Sequence, residues 1–421
     1  MRSYKVELVP NNRQRTACLQ HAGAGRWAYN YGLARKIEAR KAGLKAPTAV
    51  DLHRELVVLK HSTVPWLANV SKCAPQQALR NLDTAYRNFF RRCKSGVKKK
   101  GFPKFKSRKR GIGAFYLEGS IKVTNRTIKF PRIGELRLKE RGYIPPGVVI
   151  KSAVISERAG HWFVAVRTDE EASPHSPGSE VLGVDVGIKS LAVLSDGTVF
   201  ENPKALKAAE RRLRQIQKAV SRKQKGSGNR RKAVAKLARQ HYRVACVRSD
   251  AIHKATTSII KRSSLVGIES LNIAGMMKNH HVARSLSDAS LSELHRQIEY
   301  KAEWAGITVV KADRFFASSK TCSDCGLVKE ELKLSERTFK CKCGFDAERD
   351  LNAAINLKNL AVSSTVVACC PGGAGRSHAL VKPPVGQEPN AIQDGVLKWV
   401  SFGERKDIIP LIRPDPRRRT P

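Results

Sequence analysis

The chain has 421 residues, with 79 Lys and Arg against 36 Asp and Glu, a formal charge of +43; self-repulsion of that size opposes compaction unless a polyanion neutralises it. Its 41% apolar content is enough for real cores, unlike short histone-like or ribosomal chains, so nucleic acid is the expected partner ahead of an anionic membrane. The opening MRSYKVELVPNNRQ lacks the apolar stretch of a signal peptide, and nowhere do about 18 apolar residues run together, so an intracellular protein is expected, its ten cysteines serving as thiols or metal ligands rather than disulfides.

YKVELVP reads as a short strand stopped by Pro10, Asn11 and Asn12. From Arg13 to about Phe90 the pattern is helical, and in NLDTAYRNFFRRC the residues Leu82, Tyr86, Phe89 and Phe90 share one face, the mark of core packing. GVKKKGFPKFKSRKRG follows, where Lys104, Lys106 and Arg108 interleave with Phe102 and Phe105; cations among aromatics suit a phosphate backbone and its bases. Between Ile121 and about Val166, the segments IKVTNRTIKF, GELRLK, VVIKSAVI and HWFVAVR predict a small sheet or barrel. Glu170 to Glu180, EEASPHSPGSE, has linker composition.

A new domain opens at Val181 with VLGVDVGIKSLAVLSDGTVF, two apolar strands, an Asp196-Gly197 turn and a third strand. Leu206, Ala209, Leu213, Ile216 and Val220 mark an amphipathic helix, KGSGN breaks it, and a second helix runs from Arg230 towards Ile260, with Arg and Lys crowding the outer faces. SLVGIESLNI returns to strand and LHRQIEYKAEWAG to helix, an order that suits an α/β sheet covered by helices. Beyond about Leu360 the periodicity dissolves into a tail expected to be disordered. Cys18, Cys73, Cys93 and Cys246 stand alone and read as plain thiols.

Two clusters point to chemistry. Cys322-x2-Cys325, fifteen intervening residues and Cys341-x-Cys343 resemble a four-thiolate zinc ribbon, with Gly326 and Gly344 placed for tight turns. Four protein ligands close the coordination sphere, so that zinc is expected to be structural. Asp185 interrupts a strand of Val, Leu and Gly, where an unpaired carboxylate is costly and a divalent metal would relieve it; Glu269 repeats the arrangement on a later strand. Asp350 opens the helix RDLNAAINLKNL, where the helix dipole alone would favour an acid. Taken together, the three acids match the set with which RNase H-like nucleases hold two magnesium ions about 4 Å apart for phosphodiester hydrolysis. No P-loop, nucleophile elbow or HExxH motif competes.

GVDVGIKSLAV, GIESLNI, the IEYKAEWAG segment and the TCSDCG…CKCGFDAERDLNAAINL block closely resemble the TnpB family, RNA-guided nucleases of insertion sequences and relatives of type V CRISPR effectors; RWAYNYGLARK, QQALRNLDTAYRNFF, GFPKFKSRK and FPRIGELRLK extend the resemblance through the N-terminal half. The resemblance implies a multidomain α/β protein: a wedge-like β-barrel (1–10 and 111–175), an inserted helical recognition lobe (11–110), a RuvC-like nuclease domain (181–316 and 345–360), a zinc-ribbon insert (317–344) and the disordered tail (361–421). It implies Asp185, Glu269 and Asp350 as catalytic magnesium ligands, structural zinc on the four cysteines, and a guide RNA and double-stranded target DNA as partners, with one chain per RNA, in a prokaryotic cytoplasm at the nucleoid. Lys72 and Gln76 are nominated to read a short motif beside the target, Gln having a bidentate match to adenine. Two departures stand out: Glu348 where relatives commonly have Asp, and the single Lys342 inside the second cysteine pair. An RNA-guided repressor and a DNA-only RNase H-like resolvase or transposase are the rival readings; the intact acids weigh against the first, and the basic N-terminal half against the second.

Overall fold

The computed structural model describes residues 2–96, 100–108, 111–170, 178–332 and 336–369. They form two units, Met1–Ala172 and Ser173–Pro421, and the division falls within the expected linker, most of which lies outside the described residues.

In the first unit, alternating side chains of β1 (Arg2–Val9) bury Val6 and Leu8. Asn11 then starts α1 (Asn12–Lys41) with a reciprocal capping box: Gln14 N donates to Asn11 Oδ1 and Asn11 N to Gln14 Oε1, each at 2.9 Å. α2 (Ala49–His61), a 3-10 turn (Pro65–Asn69) and α3 (Cys73–Lys94) follow. Six more strands, β2 (Ala114–Leu117), β3 (Lys122–Val123), β4 (Thr127–Phe130), β5 (Gly134–Leu138), β6 (Ile150–Arg158) and β7 (His161–Thr168), join β1 in an antiparallel sheet of order β2-β6-β7-β1-β5-β4-β3.

Phe115 and Leu117 at one edge of that sheet share a core with Ile128 and Phe130 near the other, so the sheet wraps around a single interior. The expected barrel is therefore a rolled sheet, and among the described residues its edge strands β2 and β3 do not pair. Cys18 and Ala22 of α1 enter this core, while Ala28, Tyr29 and Leu33 of the same helix meet Leu52, Leu79 and Leu82 in a helical core.

Two expectations change here. β2, a four-residue strand, was not anticipated. The aromatic stripe of α3 is core at Leu82 and packs on it at Tyr86, but Phe90 is 53% exposed, and Tyr86 and Phe89 set their rings edge-on to Phe102, at 5.6 and 5.3 Å. The outer part of the stripe thus anchors the basic segment, while Leu82 and Tyr86 serve the helical core.

In the second unit β8 (Glu180–Val186), β9 (Ser190–Leu194) and β10 (Val199–Glu201) are antiparallel neighbours. A hairpin of α4 (Ala205–Ser221) and α5 (Gly228–Arg262) leads to β11 (Ser263–Ile268), which pairs in parallel with β8. Next come α6 (Ile273–Met276), α7 (His280–Ala289) and α8 (Leu291–Ala305), then β12 (Thr308–Lys311), parallel to β11. The sheet order is β10-β9-β8-β11-β12. A small hairpin, β13 (Thr338–Lys340) and β14 (Asp346–Glu348), precedes α9 (Arg349–Cys369).

Lys204, the residue before α4, makes no side-chain cap; the buried carboxylate of Asp288 on α7 accepts from Leu206 N at 2.9 Å and Lys207 N at 3.2 Å instead, and pairs with Arg248 of α5 at 2.9 Å. The expected strand through Ile273 ends at Ile268, one residue before Glu269. α9 continues to Cys369, nine residues past the expected end of order, and the remainder of the expected tail, 370–421, lies outside the described residues. No helix among the described residues is long and apolar enough to cross a membrane.

Candidate functional site

Asp185 is the penultimate residue of β8, and its neighbour strand β11 is in register with Gly267 opposite Gly183 and Ile268 opposite Val184. Glu269 leaves the end of β11 beside it and accepts a hydrogen bond from the Val186 backbone. Asp350 comes from above, as the second residue of α9.

The helix is seated on the two strands by backbone contact. A Cβ on Gly183 would overlap the Ala354 carbonyl oxygen, and one on Gly267 the Leu357 carbonyl oxygen. Only glycine admits a helix so close to a sheet. Ala354 lies one turn after Asp350, so the contact at Gly183 places the start of α9 over Asp185.

The electrostatics report the result. Burial pushes the Asp185 carboxyl well above the usual carboxylate range, the charges of Glu269 and then Asp350 push it further, and Arg349 opposes them. Burial pushes Glu269 up to about 7 against the hydrogen bond from Val186. Asp350 pairs with Arg349 at 3.4 Å. All three acids are half-buried, each with an edge open to solvent. A carboxyl as buried as Asp185, with two further acids raising the cost of its ionisation, fits a divalent cation, which would relieve burial and repulsion together.

Cys322, Cys325, Cys341 and Cys343 converge, their sulfurs all within 4.8 Å of one another. Cys322 and Cys343 are 3.7 Å apart, Cys325 and Cys341 3.5 Å; four sulfurs about 2.3 Å from a tetrahedral zinc would sit about 3.8 Å apart. Each pair rides a tight turn closed by a glycine at positive φ, Gly326 (77°) donating to Cys322 O and Gly344 (93°) to Cys341 O. The Cys343 backbone N–H is the main influence lowering the Cys341 thiol to about 7. The shortened second pair thus still forms a turn that brings its sulfurs together.

The sequence points to a zinc loop that aims Asp350, but sequence reasoning missed the two residues that make the connection. Asn352 and Asn356, one turn apart on α9, are buried. Asn352 accepts from Ser323 N at 3.0 Å and donates to Thr321 O at 2.7 Å; Asn356 donates to Ser318 O at 2.8 Å and Thr321 O at 2.7 Å. The helix that bears Asp350 therefore holds the first cysteine turn directly. The signal in the sequence was two asparagines four apart in an Ala/Leu helix.

The nominated nucleic-acid contacts all belong to the first unit. Lys72 is exposed at the start of α3, and Gln76, half-buried, donates its backbone N–H to Lys72 O at 3.2 Å. Lys104 and Arg108 are exposed. The Lys106 ammonium lies 4.1 Å over the Tyr29 ring, and the Lys106 backbone exchanges two hydrogen bonds with Asn30, so this segment is fastened to α1. In the second unit, Glu210 is the one acid between Lys204 and Ser249 in the sequence of the α4/α5 hairpin, and Arg284 and Arg214 both pair with it.

Residues 162–280 match the family model described as a probable transposase, OrfB of IS605; residues 292–357 match the Cas12f1-like TNB domain, and residues 1–45 a helix-turn-helix domain. The last of these spans folds here as β1 and the single long helix α1. A Streptomyces pristinaespiralis protein with the provisional name RNA-guided DNA endonuclease is 34% identical over 401 residues, covering 94% of this chain and 98% of its own. InsQ of Escherichia coli K12, under the same provisional name, is 32% identical over 388 residues, covering 88% and 94%. Among solved structures, a Cas12f1–sgRNA–target DNA complex matches at 15% identity and a TM-score of 0.31, over 85% of this chain and 99% of that chain.

Proposed function

As the chain belongs to the TnpB family, we propose that it is a transposon-encoded, RNA-guided DNA endonuclease that hydrolyses guide-matched DNA at a RuvC-type site built from Asp185, Glu269 and Asp350. The observation that supports this most is the crowding of those three carboxylates at the ends of β8 and β11 beneath α9. Two magnesium ions held there would supply an activated water and neutralise the leaving oxygen. Asp185, on the rigid central strand, fixes the position of the site, Glu269 closes one side, and Asp350 completes it from the helix. Arg349, beside both Asp185 and Asp350, offsets negative charge as a phosphate enters. The four cysteines hold one structural zinc, which stiffens the loop that Asn352 and Asn356 tie to α9.

The first unit, with the wedge-like sheet and its helices, holds the guide RNA; Lys72 and Gln76 face the motif beside the target, and Lys104, Lys106 and Arg108 follow the backbone. The α4/α5 hairpin adds phosphate contacts in the second unit. One chain per guide RNA works at the nucleoid in the cytoplasm. Sequencing the nucleic acid that co-purifies with the chain, then adding magnesium and a duplex matched to it, tests the reading. A discrete RNA with a fixed scaffold and a variable end, and cutting confined to the matched duplex, is the expected result. Tight matched binding without cutting would favour an RNA-guided repressor, and cutting without RNA a resolvase or transposase.

A further inference from the structure

Phe315 is the most exposed large apolar side chain among the described residues, at 85%. It stands just beyond β12, whose Lys311 is opposite Ile268 of β11; Ala312 N donates to Ile268 O at 2.8 Å. The chain therefore leaves the sheet beside Glu269, at the strand ends where Asp185 also lies. Three residues reach at most about 11 Å, which keeps Phe315 near the rim of the acid site.

The ring is presented, not left loose. Phe315 N donates to Asp313 Oδ1 at 2.9 Å and Phe316 N to Asp313 O at 3.1 Å, closing a turn. Immediately downstream, Asn356 grips Ser318 O at 2.8 Å. The Arg314 guanidinium lies 5.5 Å from the ring centroid. A protein-docking patch would need contiguous apolar surface, but Asp313 and Arg314 are exposed charges and Phe316 is half-buried. An exposed aromatic ring with a guanidinium over one face suits one nucleotide, base on the opposite face and phosphate on the cation.

We propose that Phe315 is a substrate-binding residue that stacks on an unpaired base of the DNA strand being cut, holding the neighbouring phosphate at Asp185, Glu269 and Asp350. The inference rests on the endonuclease reading and deepens it. Bases within a duplex have their faces covered by their neighbours, so only an unwound strand offers a face to the ring. Phe315 thus selects a locally single-stranded substrate at the cutting step, after pairing with the guide has displaced the partner strand.

The test uses the full chain with its guide RNA, as wild type, F315A and F315Y. Cleavage of matched DNA is followed on intact strands and on strands carrying one abasic site at successive positions around the cut. Base stacking on an aromatic ring is strong enough for its loss to slow cutting about tenfold or more; F315A should lose that much, F315Y should stay near wild type, and target binding should be unchanged. One abasic position should slow the wild type to the F315A rate and slow F315A no further. A single strand with 2-aminopurine at that position should be quenched by wild type and F315Y but not by F315A. Cutting by F315A at the wild-type rate, equal slowing by F315Y, abasic effects that add to F315A at every position, or quenching independent of residue 315 would overturn the proposal. If the wild type fails to cut yet quenches through Phe315, the stacking site stands and the endonuclease reading falls.

Discussion

Gly183 of β8 and Gly267 of β11 are partners across a parallel ladder, and the backbone of α9 rests on both. Two missing side chains, side by side, thus set the height of the helix that delivers Asp350 to Asp185. Gly183→Ala should force α9 off the sheet: overpacking of this kind costs roughly 1–3 kcal/mol, and the displacement should suppress cleavage far more than target binding. Melting temperature and cleavage rate of Gly183→Ala and Gly267→Ala, against Gly228→Ala, whose Cβ would meet nothing closer than 3.9 Å, check this. A variant at either seat with wild-type cutting would show that α9 does not depend on the contact.

The cysteine cluster should hold about one zinc per chain, resistant to mild chelation, as closed thiolate sites do. Asn356 adds a test of its coupling to α9. Asn356→Ala leaves the Ser318 and Thr321 carbonyls without that donor, a cost of about 1–3 kcal/mol for buried groups. Faster zinc release and slower cleavage should appear together. Elemental analysis and chelator kinetics give the first, and an active, freshly purified chain without zinc would end the structural-zinc reading.

Acid should destabilise the fold in a window set by buried histidines. His21 illustrates the cause: its Nδ1 donates to Ala17 O at 2.7 Å, and its Nε2 accepts from Ser71 N at 3.0 Å, an arrangement that requires a neutral ring. Burial lowers its pKa below the ordinary 6.5, and likewise those of His53 and His295. The unfolded chain then binds more protons, so stability is fully present above about 6.5 and is lost as pH falls through the depressed folded values. The raised carboxyls of Asp185 and Glu269 act in the opposite sense, so the comparison with His21→Gln isolates the histidine contribution. Melting curves at pH 7.5, 6.5 and 5.5 should fall progressively, and His21→Gln should flatten the slope; a melting temperature constant to pH 5.5 would refute this.

Much of the site was legible because chemistry that offends its surroundings shows in a sequence. A carboxylate at Asp185 among Val and Leu, and four cysteines paired at turn-forming glycines, stand out from their neighbours, and the fold does crowd Asp185 against two other acids and gather the four sulfurs. What was hidden depended on tertiary partners. Asp288 caps a helix 82 residues away, and nothing local to α7 announces it. β2 and β12 have four residues each, too short for periodicity to register. Phe89 matched a core stripe by spacing, but the ring it meets belongs to a basic segment. The length of α9 was underestimated because its later turns hold Ser and Thr, which spacing alone reads as loop.

The acid site should be a place where function is held at the expense of stability. Asp185 and Glu269 have carboxyls pushed upward by burial and, at Asp185, by the neighbouring acids, so at neutral pH without metal ionising them costs the folded state free energy that it does not cost the unfolded chain. Asp185→Asn keeps the shape and removes one charge. It should raise the melting temperature in the absence of magnesium. Magnesium should stabilise the wild type and not this variant, because the cation's gain comes from relieving the same repulsion. Cleavage should vanish in Asp185→Asn, Glu269→Gln and Asp350→Asn while the RNA complex still binds matched DNA, with release of repulsion towards phosphate tightening that binding. Asp346→Ala and Glu348→Ala, exposed on the small hairpin, should retain most activity. Calorimetry with and without magnesium, beside cleavage and binding, separates the outcomes. A metal-free melting temperature lowered by Asp185→Asn would make the acid a structural partner, and undiminished cutting by it, in a preparation free of other nucleases, would remove Asp185 from the chemistry altogether.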